Sequence, residues 1–246
     1  MRKFNNIVIC VPTVSQTMMS STAITIANVV KALQKANVEA DLHNIDSCEI
    51  VTARDMFANM LLHSSRWDGM LFIDSDMAFD PRLVLKLLAR NEDVTAAACP
   101  RRKLDLGQLV SSASADGNLD RALAKASEFT VKFEWKAGKS PPPKPRKGFV
   151  PAAAVGMAIA LISRQALIDM TQAGVVDVRG DLRTGDGKSC WSFFKVIEVD
   201  GHRYGEDYSF CHRWTAQMGR SISVCVDESV SHIGAFSYKA RYSDLL

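Results

Sequence analysis

The chain has 246 residues, 47% of them apolar and 23% charged, enough for one large globular α/β domain with a well-buried core and inconsistent with a disordered chain. Its 30 basic against 27 acidic residues leave a net charge of +3, too mild by itself to argue for a nucleic-acid partner, which requires clustered charge. No signal-peptide run follows Met1, the most apolar stretch (Phe149 to Ile162) is too short and too rich in Ala and Gly to span a bilayer, and six scattered cysteines form no C-x-x-C, which together read as a reduced, cytoplasmic protein without a membrane anchor.

Along the chain, short apolar runs alternate with amphipathic stretches. Asn6 to Val11 reads as a buried strand, and Thr17 to Gln34 as a helix with Ile24, Val29 or Val30, and Leu33 among its apolar positions. Val38 to Ile45 is a second strand; Val51 to Ser64 is a helix with Ala53, Phe57, Met60 and Leu61 on one face. A third strand, Gly69 to Ile73, is apolar throughout. Asp80-Pro81 starts a helix, with Asp as cap and Pro in the first helical position, and Asn91 stops it before a strand from Val94 to Cys99. Leu104 to Asn118, rich in Ser and Gly, is expected to be loop, and Phe129 to Trp135 alternates as an edge strand would. The Pro/Lys-rich segment 136–148 cannot feed a ladder or a helix interior and reads as a flexible loop. Met157 to Ile162 is a strand, Ser163 caps a helix ending near Gly174, and Val178 to Lys188 is a Gly/Asp-rich loop. Glu206 to Met218 is a helix closed by Gly219, before a last strand from Ile222 to Val226. This alternation predicts a single domain over 1–246, with a central, mainly parallel mixed sheet flanked by helices and ligands at the C-terminal strand ends.

The sharpest chemical feature is M-L-F-I-D-S-D, residues 70–76. A buried strand runs into two carboxylates two residues apart, and an extended backbone would point both to one side. Such a pair is tolerable when a divalent cation sits between it and a ligand; hard cations use one or two carboxylates plus substrate phosphates. The bland alternative is a pair of turn-capping aspartates.

Asp68 to Pro81, D-G-M-L-F-I-D-S-D-M-A-F-D-P, resembles the D-x-D segment of GT-A glycosyltransferases, especially the family-2-like and Anp1-like groups. Further segments resemble the family's in order: C-V-P-T at 10–13, Arg54-Asp55 for an Arg-Asn pair, A-C-P-R-R-K at 98–103, G-M-A-I-A-L-I-S-R at 156–164, G-E-D at 205–207 and S-H-I-G at 231–234. The resemblance implies a nucleotide-binding half over 1–103 and an acceptor-binding half over 104–246. It implies that Pro12, Thr13, Arg54, Asp74, Ser75 and Lys103 hold a nucleotide-diphosphate sugar, with UDP the commonest base. Asp76, His232 and Asp74 would hold Mn²⁺ or Mg²⁺, the imidazole favouring manganese. Asp207, with Glu206 next, would be the general base that deprotonates a hydroxyl-bearing acceptor. Two other classes compete. A nucleotidyltransferase would carry a Gly-rich basic loop after the first strand, where this chain has P-T-V-S-Q. A nucleic-acid binder using Lys136 to Lys147 would interleave more stacking aromatics than Trp135 and Phe149.

Overall fold

The computed structural model describes residues 3–134, 144–183 and 187–235. The first half alternates strand and helix: β1 (Asn6–Thr13), α1 (Ser20–Lys35), β2 (Glu39–Asp46), α2 (Ile50–His63), β3 (Gly69–Ile73), a short β4 (Met77–Phe79), α3 (Arg82–Arg90) and β5 (Val94–Ala97). The second half is less regular. A β6 (Pro100–Leu104) leads to two helices, α4 (Leu106–Asp116) and α5 (Leu119–Ala126), and to β7 (Ser127–Phe129) and β8 (Val131–Phe133). Then come β9 (Phe149–Val155), β10 (Ile159–Ser163), α6 (Arg164–Gln172), the ribbons β11 (Asp177–Arg183) with β12 (Ser189–Ser192) and β13 (Glu198–Val199) with β14 (His202–Arg203), α7 (Glu206–His212), β15 (Ile222–Cys225) and β16 (Val230–His232).

Eight strands form the central sheet in the order β2-β1-β3-β10-β5-β15-β9-β8. The pairs β1–β2, β1–β3 and β5–β15 are parallel, and the other four are antiparallel. The α/β mixed sheet flanked by helices is as expected, with antiparallel pairs slightly in the majority. Strand alternation builds its two cores. Ile7, Ile9, Val11, Leu71 and Ile73 pack with Ile26, Val29 and Leu33 of α1 and Leu83, Val84 and Leu87 of α3. Val8, Cys10, Met70 and Phe72, on the opposite face, pack with Phe57 and Leu61 of α2, Leu167 and Met170 of α6 and Phe210 of α7. Covered on both sides, β3 is buried throughout, which is why it reads as an unbroken apolar run.

Because β1, β2 and β3 are parallel, their C-terminal ends converge on one edge, with Thr13 opposite Asp46. Strand β10 runs antiparallel to β3 with Ile159 opposite Ile73, which delivers residues 156–158 to that same edge.

Five local expectations need correction. Ile24 is 63% exposed, and Thr22, Thr25 and Ile26 take the buried face of α1. Leu104 to Asn118 is mostly helix. Asp105 accepts from Gln108 N, Gly117 ends α4 at φ 62°, and Asn118 accepts from Arg121 N to start α5. The helical spacing of Leu106, Leu109, Val110 and Ala113 is masked in the sequence by Gly107 and the serines at 111, 112 and 114. Val178 to Lys188 is a strand in its first half, in a ribbon outside the main sheet that lacks alternating hydrophobicity. The helix at Glu206 ends at His212 and continues as a π-helical turn, Arg213–Gln217. The Phe129 to Trp135 stretch is broken at Thr130, whose N–H donates to Cys99 O and whose carbonyl accepts from Gly156 N. Trp135 and residues 136–143 lie outside the described residues.

Candidate active site

At the β1–β2 end, Pro12 and Thr13 are buried. The Thr13 hydroxyl donates to Asp46 Oδ1 at 3.1 Å and accepts from Asn44 Nδ2 at 2.9 Å. Asp46 Oδ1 also takes the Gln16 N–H at 2.8 Å, fixing a turn in which Ser15 and Gln16 both have positive φ (56° and 55°). Two consecutive non-glycine residues in that region cost of order 1–3 kcal/mol each and need such anchoring. Sequence reasoning missed Asp46 because the strand was ended at Ile45. The available signal was an acidic residue at the C-terminal end of a parallel strand.

The D-S-D segment is a turn rather than a continuation of the strand: β3 stops at Ile73, and Met77 N bonds back to Asp74 O at 3.2 Å. The two carboxylates therefore go to different partners. Arg54 Nη2 lies 3.1 Å from both Asp74 oxygens. Arg54 is 3% exposed and sits 4.9 Å over the Phe72 ring; its Nη1 donates to Met157 O at 3.3 Å, and its Nε points to Glu206 Oε1 at 3.6 Å. The guanidinium thus ties the ends of β3 and α7 to the segment before β10. Burial pushes the Asp74 carboxyl above its ordinary range; Arg54 opposes that shift, and the charges of Asp76 and Glu206 reinforce it. Ser75 holds the turn through its carbonyl, which accepts from Met19 N at 2.9 Å.

Asp76 faces His232 from the facing short strand, β16 against β4. His232 Nε2 stands 3.2 Å from Asp76 Oδ2, while Nδ1 lies 2.8 Å from Pro100 O. A carbonyl only accepts, so Nδ1 carries a hydrogen, and Nε2 directs either a second proton or a lone pair at the carboxylate. A lone pair opposite an anionic oxygen is favourable only with positive charge beside them, from Arg102 Nη1 at 3.3 Å from that oxygen or from a bound cation. The residues present fit a divalent ion: two ligands side by side in an octahedral shell at 2.0–2.1 Å stand about 3 Å apart, and the Pro100 carbonyl fixes the imidazole tautomer as an outer-shell partner does. Among the described residues no group of three His, Cys, Asp or Glu side chains gathers as a metal cage. Asp74 is engaged by Arg54 instead of joining this pair. Of the basic trio, Arg102 Nη1 reaches Asp76 Oδ2 at 3.3 Å, whereas Arg101 and Lys103 turn to Glu128 across the β6–β7 ribbon.

Glu206 and Asp207 open α7, whose first turn favours anionic side chains. Glu206 is committed to Arg54. The Asp207 Oδ1 accepts the Tyr208 N–H at 2.7 Å, which leaves Oδ2 beside Gly156. A Cβ on Gly156 would come within 3.0 Å of Thr130 Cγ2 and 3.5 Å of Asp207 Oδ2, so glycine keeps this approach open. Burial, then repulsion by Glu206, raises the Asp207 carboxyl from 3.8 to about 6.

None of the six cysteines is in a disulfide. Among the described residues no helix is long and apolar enough to cross a membrane.

No protein-family model and no curated protein matches the chain. Among solved structures, A197 from STIV is similar at 12% identity over 94% of this chain and 86% of that one, with a TM-score of 0.48. GalNAc-T7, crystallised with UDP, GalNAc and Mn²⁺, is similar at 10% identity over 94% of this chain and 44% of that one, with a TM-score of 0.50. At that identity the likeness to GalNAc-T7 is one of fold: the chain has a GT-A-like α/β architecture.

Proposed function

We propose that the protein is a metal-dependent glycosyltransferase that moves a sugar from a nucleotide-diphosphate donor, a UDP-sugar, to a hydroxyl of an acceptor. The observation that carries this reading is the Asp76–His232 pair, a carboxylate and a tautomer-fixed imidazole 3.2 Å apart, at the strand edge where open α/β sheets bind ligands. A cation held by one carboxylate and one imidazole would complete its shell with substrate phosphates. When bound, Mn²⁺ or Mg²⁺ would neutralise the diphosphate leaving group.

The chain's own residues supply the rest. Pro12, Thr13 and the Asp46 they adjoin form the base and ribose end. Arg54 fixes Asp74 toward the ribose and Glu206 away from the acceptor. Ser75 and Arg102, which reaches Asp76, would meet the diphosphate, and Lys103 would join them on leaving Glu128. Asp207 takes the acceptor proton on Oδ2, the oxygen beside Gly156. A carboxylate raised to about 6 is still ionised at pH 7 and is a stronger base than an ordinary aspartate.

A donor screen with Mn²⁺ tests this reading, following release of free nucleoside diphosphate and the anomeric configuration of the product. One UDP-sugar turned over in preference to the rest, with inversion and with loss on chelation, is the expected result. Undiminished turnover in excess chelator would remove the metal and most of the reading with it.

A further inference from the structure

A cavity adjoins the Asp207 surroundings. It has a volume of about 270 Å³ and is lined by Tyr204, Tyr208, His212, Lys132, Ala153 and Ala154 among others. Three of the elements that frame Asp207 also frame the cavity. Tyr208 is the next residue on α7; Ala153 and Ala154 belong to the strand that ends before Gly156; Lys132 lies on the strand that begins after Thr130. The Thr215 hydroxyl donates to Ala153 O at 3.0 Å and fastens the π-helical turn to this wall.

The three rings meet as a corner. Tyr204 and Tyr208 lie 6.5 Å apart at 88°, and Tyr204 and His212 lie 5.8 Å apart at 72°. All three are half-buried. Among the described residues, neither phenol hydroxyl and neither His212 ring nitrogen makes a hydrogen bond. Burial, then the charge of Asp207, raises the Tyr208 phenol above its ordinary range, so it stays a hydroxyl able to donate as well as accept.

We infer that this cavity is a subsite for one pyranose ring of the acceptor. Its volume lies just below the roughly 300 Å³ at which ordinary ligand pockets begin, which limits it to a single ring. Perpendicular rings offer no parallel pair of faces to sandwich a flat nucleobase. They suit a thick, chair-shaped ring whose polarised C–H face sits against one aromatic face while its hydroxyls meet the phenols, the imidazole and Lys132. The side walls are alanine, so little desolvated polar surface opposes entry. The acceptor role rests on the glycosyltransferase reading; the sugar-binding chemistry of the cavity does not.

Saturation-transfer NMR on the whole chain tests it, with methyl glucoside, galactoside, mannoside and N-acetylglucosaminide as probes. The wild type is expected to transfer saturation to ring C–H protons of at least one glycoside. Tyr204→Ala and Tyr208→Ala should each bind that glycoside about 2- to 10-fold more weakly, the worth of one aromatic contact, and Tyr204→Phe should retain it because the face remains. Tyr204 precedes α7, so Tyr204→Ala carries the test should Tyr208→Ala fail to fold. Absence of transfer to every glycoside, or equal transfer in wild type and Tyr204→Ala, overturns the subsite. A parallel UDP titration of the wild type in Mn²⁺ separates the two ideas. Glycoside binding without UDP binding overturns the acceptor role and supports the sugar cavity; UDP binding without glycoside binding overturns the cavity alone.

Discussion

Asp55 and Asp207 sit in two regions of one core face and share a property: burial raises each carboxyl from 3.8 to about 6. Their partners differ. Asp55 is 1% exposed, accepts the Phe194 N–H at 2.9 Å, and pairs with Arg179 Nη1 at 3.0 Å, so both oxygens are occupied. Asp207 has only the Tyr208 N–H on one oxygen, faces the negative Glu206, and keeps the other oxygen beside a glycine. A raised pKa therefore does not separate a structural carboxylate from a chemical one; the inventory of occupied lone pairs does. The one at α2 ties the helix to the β11–β12 ribbon. The one at α7 is left able to take a proton.

Substitution should pull the two apart. Asp207→Asn keeps shape and removes basicity, and transfer should fall about 10²- to 10⁴-fold while UDP affinity holds and melting temperature does not fall; near wild-type transfer would move the base elsewhere. Asp55→Ala should act on the fold instead. It leaves the buried Phe194 N–H without its acceptor, while Arg179 keeps Asp181 and Thr52, a loss of about 1–3 kcal/mol, or roughly 2–12 °C in melting temperature for a chain of this size. Calorimetry reads this directly, and activity lost should track folded protein lost.

A smaller effect sharpens the comparison through pH. Both folded-state values lie above the ordinary carboxylate value, so both groups favour the fold when protonated. That contribution is fully present below about 4 and disappears as pH rises through about 6. Thermal melts across this interval should show stability falling with rising pH, and Asp207→Asn should make the fall shallower. Transfer should run the other way, rising with an apparent value near 6 as Asp207 ionises; a limb near 4 would indicate a different, exposed base.

The parallel half of the fold was legible because β1 and β3 are buried on both faces and α3 on one. Unbroken apolar runs are then written in Ile7 to Val11 and Met70 to Ile73, and a helical period in Val84, Leu87 and Leu88. The α4–α5 pair and the β11–β12 ribbon were not legible. Leu106, Val110 and Leu119 are exposed, so the helical spacing of the apolar residues in α4 and α5 marks little buried surface, and Arg179 is held by ion pairs and not by apolar packing. At the site, motif order put Asp74, Asp76, Arg54, Glu206, Asp207 and His232 on the page together. It could not assign partners. The turn at Asp74–Asp76 sends one carboxylate to Arg54 and the other to His232, and only tertiary pairing of β4 with β16 determines that. Asp46 escaped for a similar reason, since its importance lies in a contact across 33 residues of sequence.

The central claim is that Asp76 and His232 hold the cation that holds the diphosphate. Calorimetric titration of UDP into the protein, with Mn²⁺ and with excess chelator, tests it most directly. Binding should require Mn²⁺ in the wild type and be lost in Asp76→Asn and His232→Ala, both still folded by circular dichroism. Equal UDP affinity with and without the cation, or wild-type affinity in Asp76→Asn, would contradict it.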